Sequence, residues 1–274
     1  MKTLRVIRIM LALLFLGASV AAVVMGSNVH PAARLAEKSQ IILSSISITA
    51  GATMVWLLLS FVFGRIYCST ACPVGTISDI AMKCRRFAPE RLRKPLRYRH
   101  ASKATVHILW VYVACLLFGI VGFPYLVEPW NMMRNVAALV NADAVNTTWL
   151  NIGMSAIVGA VGGVVAILLI IALSVRRGRQ FCTDFCPVGA ILGHVSKYAL
   201  YHVEIDRDRC TSCGICEDIC RSGCIKTVNR YVDDSRCVRC LDCMVKCPEN
   251  AIRLQVNRNR PATPLMTRTK KIRN

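Results

Sequence analysis

Histidine is scarce in this chain, with five in 274 residues. None follows a Cys-x-x-Cys pair, which excludes c-type haem attachment. None is paired within a long apolar run, which excludes a b-type haem held between helices. Acidic residues are also few: 15 Asp and Glu stand against 35 Lys and Arg, for a formal charge of +20. Such a charge suits nucleic acid, but the basic residues flank apolar runs, so it reads as membrane topology and no nucleic-acid partner is expected. The 15 cysteines are an odd number and cannot all pair as disulfides.

The cysteines that are present carry a pattern. The chain reads Cys210-x2-Cys213-x2-Cys216-x3-Cys220 and then Cys237-x2-Cys240-x2-Cys243-x3-Cys247-Pro248. Zinc ribbons use two Cys-x-x-Cys pairs, not a triplet followed by x3-Cys. The spacing is that of a two-cluster bacterial ferredoxin, in which the fourth Cys of each run ligates the other cluster. It assigns Cys210, Cys213, Cys216 and Cys247 to one [4Fe–4S] cluster, and Cys237, Cys240, Cys243 and Cys220 to a second. Arg221 stands after Cys220 where Pro is usual, and Cys224 follows four residues after Cys220. Either Cys220 or Cys224 is then the crossing ligand, and spacing favours Cys220.

The chain is 54% hydrophobic, too apolar for one soluble domain of this length. The excess lies in four runs, at 9–26, 41–64, 104–123 and 152–175, each near the ~20 residues a bilayer requires. Basic residues crowd the segment between the second and third runs and follow the fourth at once. The positive-inside rule therefore predicts a multi-pass protein of the cytoplasmic (inner) membrane, with both termini and the cysteine-rich domain in the cytoplasm. Its reducing milieu suits exposed cluster cysteines.

The exits of the second and fourth runs repeat one another. Gly64-Arg65-Ile66-Tyr67-Cys68-x3-Cys72-Pro73-Val74-Gly75-Thr76-Ile77 matches Gly178-Arg179-Gln180-Phe181-Cys182-x3-Cys186-Pro187-Val188-Gly189-Ala190-Ile191, identical at eight of fourteen positions. The membrane part thus reads as two parallel copies of a two-helix unit. Three readings of Cys68, Cys72, Cys182 and Cys186 stand side by side: four thiolates of a third cluster or metal site, redox or partner-docking thiols, and a structural helix-to-loop turn set by Pro. The expected fold is an α-helical membrane domain of four transmembrane helices in two parallel two-helix repeats over residues 1–200. A small α+β bacterial-type 2[4Fe–4S] ferredoxin domain follows over 201–256, and then a basic tail over 257–274.

Four spans, Cys-x3-Cys-Pro after the second and fourth, and a C-terminal pair of cluster motifs resemble the NapH-type ferredoxin-like membrane proteins, with MauN and the membrane half of NosR-type regulators similar in plan. The resemblance implies the membrane component of a quinol dehydrogenase. Electrons would pass from the membrane quinol pool towards a periplasmic reductase of the nitrate reductase type, through a partner iron–sulfur protein and a c-type cytochrome. The alternative is a redox assembly or maturation factor that reduces a metal or thiol for a periplasmic or membrane metalloenzyme. Quinol oxidation needs a proton acceptor at membrane depth, where ionisable groups mark function. His107 in the third run and Glu128 in the following loop are the candidates. The same loop, with Tyr125, Trp130 and Trp149, also reads as an interfacial aromatic belt.

Overall fold

The computed structural model describes residues 2–25, 37–41, 46–87, 89, 95–100, 102–120, 123, 127–137 and 156–256. Tyr125, Trp149 and the 257–274 tail lie outside the described residues.

Helix α1 spans Lys2–Met25, not 9–26. The helix starts early because its basic first turns are neutralised: Arg5 Nε lies 2.7 Å from Asp242, and Arg8 Nη1 lies 3.3 Å from Asp79. Helix α2 spans Ile46–Phe63, the short α3 Tyr67–Thr70, and α4 Pro73–Cys84. Helix α5 spans Lys103–Leu117, its first turn capped by the Ser102 hydroxyl accepting from Ala104 N. It stops short of the predicted end at Phe123 because Gly119 adopts φ +70°. The Gly119 and Ile120 amides turn back onto Leu116 and Cys115 carbonyls, a glycine-closed helix end. Helix α6 spans Pro129–Ala137 and α7 Ala156–Arg177. A π-turn at Phe181–Phe185 leads to α8, Pro187–Ser196.

The packing obeys the repeat. The opening helix of each copy packs on that copy's post-motif helix, α1 on α4 and α5 on α8. The motif-bearing spans exchange partners: α2 packs on α8, and α7 on α4. Each copy is therefore incomplete without the other. Both post-motif helices begin with Pro at the first position, where a missing N–H costs nothing.

Outward faces are apolar. Leu14 on α1 is 66% exposed, Leu58 on α2 60%, Trp110 on α5 69% and Leu168 on α7 59%, and large bare apolar faces mark interaction with lipid or protein. Among the described residues, one helix, Lys2–Val24, is long and apolar enough to cross a membrane. Helices α2 and α5, with 18 and 15 residues, are shorter than the predicted runs.

The C-terminal part is a small α+β unit. Strand β1 (Tyr201–Ile205) pairs antiparallel with β4 (Ile252–Val256), in register from Tyr201↔Val256 to Ile205↔Ile252. Strand β2 (Ile225–Lys226) pairs with β3 (Tyr231–Val232). Between them lie two short helices, α9 (Ile215–Asp218) and α10 (Asp242–Lys246). Val203, Ile205, Ile225, Val232, Met244 and Ile252 close a core around the cysteines.

Candidate metal centres

The two cysteine runs fold alike. Ser212 and Gly214 bracket Cys213 with φ +57° and +83°, and Arg239 and Leu241 bracket Cys240 with +54° and +63°. Left-handed residues on either side of the middle Cys turn successive backbone N–H groups inward, an anion-binding concavity. Gly223 and Asn250, each three residues after the fourth Cys, share positive φ as well. One residue further on, Cys224 N donates to Cys220 Sγ at 3.4 Å, and Ala251 N donates to Cys247 Sγ at 3.3 Å. By this correspondence Cys220 is the counterpart of Cys247, Cys224 of Ala251, and Arg221 of Pro248.

Two cavities result. One is lined by Cys210, Cys213, Cys216 and Cys247. The other is lined by Cys237, Cys240, Cys243, Cys220 and Cys224. Each collects the triplet of one run and the fourth Cys of the other. Among the described residues no three Cys, His, Asp or Glu side chains converge as ligands of a single metal ion. The donor set and the sulfur-directed amides fit [4Fe–4S] clusters, for which four thiolates surround a cube.

Burial pushes the Cys216 and Cys243 thiols up, and Cys240 up to about 12. Such thiols ionise only when a cation takes the proton's place. In the second cavity Cys224 lies 3.4 Å from Cys220, sulfur to sulfur. Their mutual sulfur contact lowers the Cys220 thiol and raises that of Cys224.

The repeated motifs form a second constellation. Cys68, Cys72, Cys182 and Cys186 are each 5–6% exposed. Cys68, Cys72 and Cys186 share one apolar core with Tyr67, Val74 and Val188. Burial first, and then the neighbouring cysteines, push the Cys72 and Cys186 thiols up. Burial also raises Cys182. Two arginines lock the copies reciprocally: Arg65 Nη2 donates to Cys182 O, and Arg179 Nη1 to Cys68 O, both at 2.6 Å. The motif glycines are sterically required. A Cβ on Gly75 would meet Cys68 O at 2.2 Å, and one on Gly189 would meet Cys182 O at 2.2 Å. The structure brings all four cysteines to one locus, and much of the repeated motif serves its architecture.

The two constellations adjoin. Val238 belongs to the core that holds Cys68, Cys72 and Cys186, and Cys240 packs against it. Arg65 Nη1 donates to Ser235 O at 3.1 Å, Ser196 Oγ to Asp234 O at 2.9 Å, and Arg179 N to Arg221 O at 2.8 Å. Asp79 receives Arg179 Nε and Arg221 Nη1, each at 2.8 Å, besides Arg8. Burial would raise its carboxyl, but Arg179 and Arg221 hold it well below the usual carboxylate range. Arg221 Nη2 continues to Asp242 Oδ2 at 2.6 Å. Sequence reasoning missed Asp79 and Asp242, and read Arg65 and Arg179 only as topology markers. For the arginines the repeat itself was a usable signal. Asp79 had none, because the second copy carries Gly193 at that place.

Of the quinol candidates, His107 is exposed on α5. Glu128 is fully buried, accepting from the Tyr112 hydroxyl and from Asn131 Nδ2 at 2.6 Å. Trp130 does not form a surface belt: it is 1% exposed and packs on Ala22 and Val23 of α1.

Comparison with known proteins agrees with this architecture. A family described as a 4Fe-4S binding domain matches residues 48–94 and 149–202, the two repeat copies. A second, with the same description, matches 203–226 and 230–253. The methylamine utilization ferredoxin-type protein MauN of Methylorubrum extorquens is 32% identical over 62% of this chain and 52% of its own length. The ferredoxin-type protein NapH of Escherichia coli is 27% identical over 73% of this chain and 65% of its own. YccM of Escherichia coli is 25% identical over 71% and 52%. The chain thus spans about half the length of MauN and YccM. No solved structure matches.

Proposed function

We propose that this chain, a ferredoxin-type iron–sulfur electron-transfer protein related to NapH and MauN, is anchored in the cytoplasmic membrane and passes electrons from quinol, through partner subunits, towards a periplasmic reductase of the nitrate reductase type. The observation that carries this reading is the pair of cysteine-lined cavities set against a helical body with apolar outer faces. In it Cys210, Cys213, Cys216 and Cys247 hold one [4Fe–4S] cluster, and Cys237, Cys240, Cys243 and Cys220 hold the other. Bound there, the clusters supply one-electron carriers. The protein's own part is to hold eight thiolates in apolar walls and to aim backbone amides at their sulfurs, which favours the reduced, more negative state.

Glu128 is the proton acceptor in this reading. A buried carboxylate held by Tyr112 and Asn131 sits within the helical body, where quinol must lose two protons with its two electrons. Four membrane crossings, with termini and ferredoxin domain cytoplasmic, are the topology that the apolar faces and the flanking basic residues favour. Partners include an iron–sulfur protein and a c-type cytochrome.

A second reading rests on the four buried cysteines of the repeats. As thiols they suit an assembly factor that reduces a metal or thiol for a metalloenzyme, and as thiolates a third cluster. Anaerobic iron and acid-labile sulfide per chain, with EPR before and after adding a menaquinol analogue, separates these. About eight irons with quinol-reducible signals support the electron-transfer reading, and about twelve add a third cluster. Eight irons indifferent to quinol, even with partner proteins restored, overturn the quinol role and leave the assembly reading.

A further inference from the structure

Arg221 occupies the place where the second run has Pro248, and it is no passive replacement. Its side chain is 9% exposed and spans two carboxylates from different parts of the fold, Asp79 of the repeat at 2.8 Å and Asp242 of the ferredoxin unit at 2.6 Å. Its carbonyl accepts from Arg179 N at 2.8 Å, and a Cβ on Gly178 would meet that oxygen at 2.3 Å. A proline here would keep the carbonyl and lose the bridge.

The bridge lies beside one cysteine cavity and not the other. Arg221 directly follows Cys220 and Asp242 directly precedes Cys243, two cysteines that line this cavity; neither residue, nor a chain neighbour of either, lines the other. Cys240 of this cavity packs against the core that holds Cys68, Cys72 and Cys186 of the repeats, whereas Cys213 of the other is exposed. The two sites are therefore inner and outer.

We propose that Arg221 is a positioning residue that makes the two clusters unequal: it clamps the ferredoxin unit onto the repeats and raises the reduction potential of the inner cluster alone. This rests on the two-cluster reading above. A reduced cluster carries one more negative charge, and a fixed guanidinium beside it stabilises that state. Electrons arriving from the membrane side are then collected first at the inner site.

The test is an EPR-monitored redox titration of the full-length protein in detergent, after iron has been counted. Arg221→Gln should move the inner midpoint negative by a tenfold change in the reduction equilibrium, about 59 mV for one electron, with the outer midpoint unmoved. Arg221→Lys should restore most of the shift. Asp242→Asn should move the inner midpoint the opposite way, which covers the case in which Arg221→Gln fails to assemble. Thr227→Ala, beside Cys216 at 3.9 Å, identifies the outer signal. If Arg221→Gln moves both midpoints together or neither, or if Asp242→Asn moves the inner one in the negative direction, the proposal is wrong. A wild-type iron count far from about eight would instead overturn the cluster reading on which it rests.

Discussion

Replacing Asp79 by Asn removes the carboxylate on which Arg8, Arg179 and Arg221 converge. The amide is nearly isosteric, so packing stays and only charge is lost. Three guanidiniums, two of them from different parts of the fold, are left facing one another with side-chain exposures of 0–9%. Breaking one partner of a buried ion pair costs about 3–5 kcal/mol. Because the Arg221 pair bridges repeat and ferredoxin unit, the loss falls in part on their closed arrangement. Cleavage of the opened form by protease tracks its population when reclosing is fast. The expected result is a rise in cleavage between residues 196 and 201 of about 10²–10⁴-fold, at 1.36 kcal/mol per tenfold. The pH dependence has a definite sign. Asp79 is held below its unfolded value of about 3.9, so its contribution is complete above that value and fades as pH falls below it. Opening in the wild type should stay flat from about pH 7 to 5 with respect to this group, and the Asn variant should lack its acid-side dependence. A rise of less than about threefold in the variant would refute the view that this carboxylate holds the halves together.

Other expectations follow from single contacts. Cys224→Ala should keep both clusters, since Ala251 fills the equivalent place in the other run, while Cys220→Ala should lose about half the iron. Iron per chain decides, and the reverse order would make Cys224 the ligand. Gly189→Ala drives a methyl onto Cys182 O at 2.2 Å and against Arg65 Nη2 at 2.7 Å. It should destabilise by about 1–3 kcal/mol or more, read as a lower thermal midpoint in detergent, and an unchanged midpoint would count against a tight repeat interface. Glu128→Gln should slow cluster reduction by a quinol analogue by about 10²-fold or more and leave dithionite reduction intact. Equal rates with quinol would remove Glu128 from proton transfer.

The cysteine runs were legible because cluster binding is local chain geometry. Three thiols on one tight loop need a fixed spacing, and the left-handed Ser212 and Gly214 that build the loop follow from that closeness. The place of Cys247 in the first cavity was legible for the same reason: a fourth Cys four residues beyond the triplet cannot turn back to its own site. The repeat was visible as sequence identity, and its glycines and arginines carry the same contacts twice. Helix ends were harder. The apolar run to Phe123 hides the turn at Gly119, since hydropathy is blind to backbone angle.

By itself the sequence determined that this chain is an iron–sulfur protein with a strongly apolar, internally repeated helical part, because spacing and periodicity act over a few residues. Tertiary structure alone decided which cysteine site faces the repeats and that part of the large positive charge is internal. Arg65 and Arg179 reach across to the other copy, and Arg221 joins Asp79 to Asp242, over separations of more than a hundred residues. Nothing in local spacing encodes such pairs: they exist only because burial removes water and leaves each guanidinium to the nearest carbonyl or carboxylate.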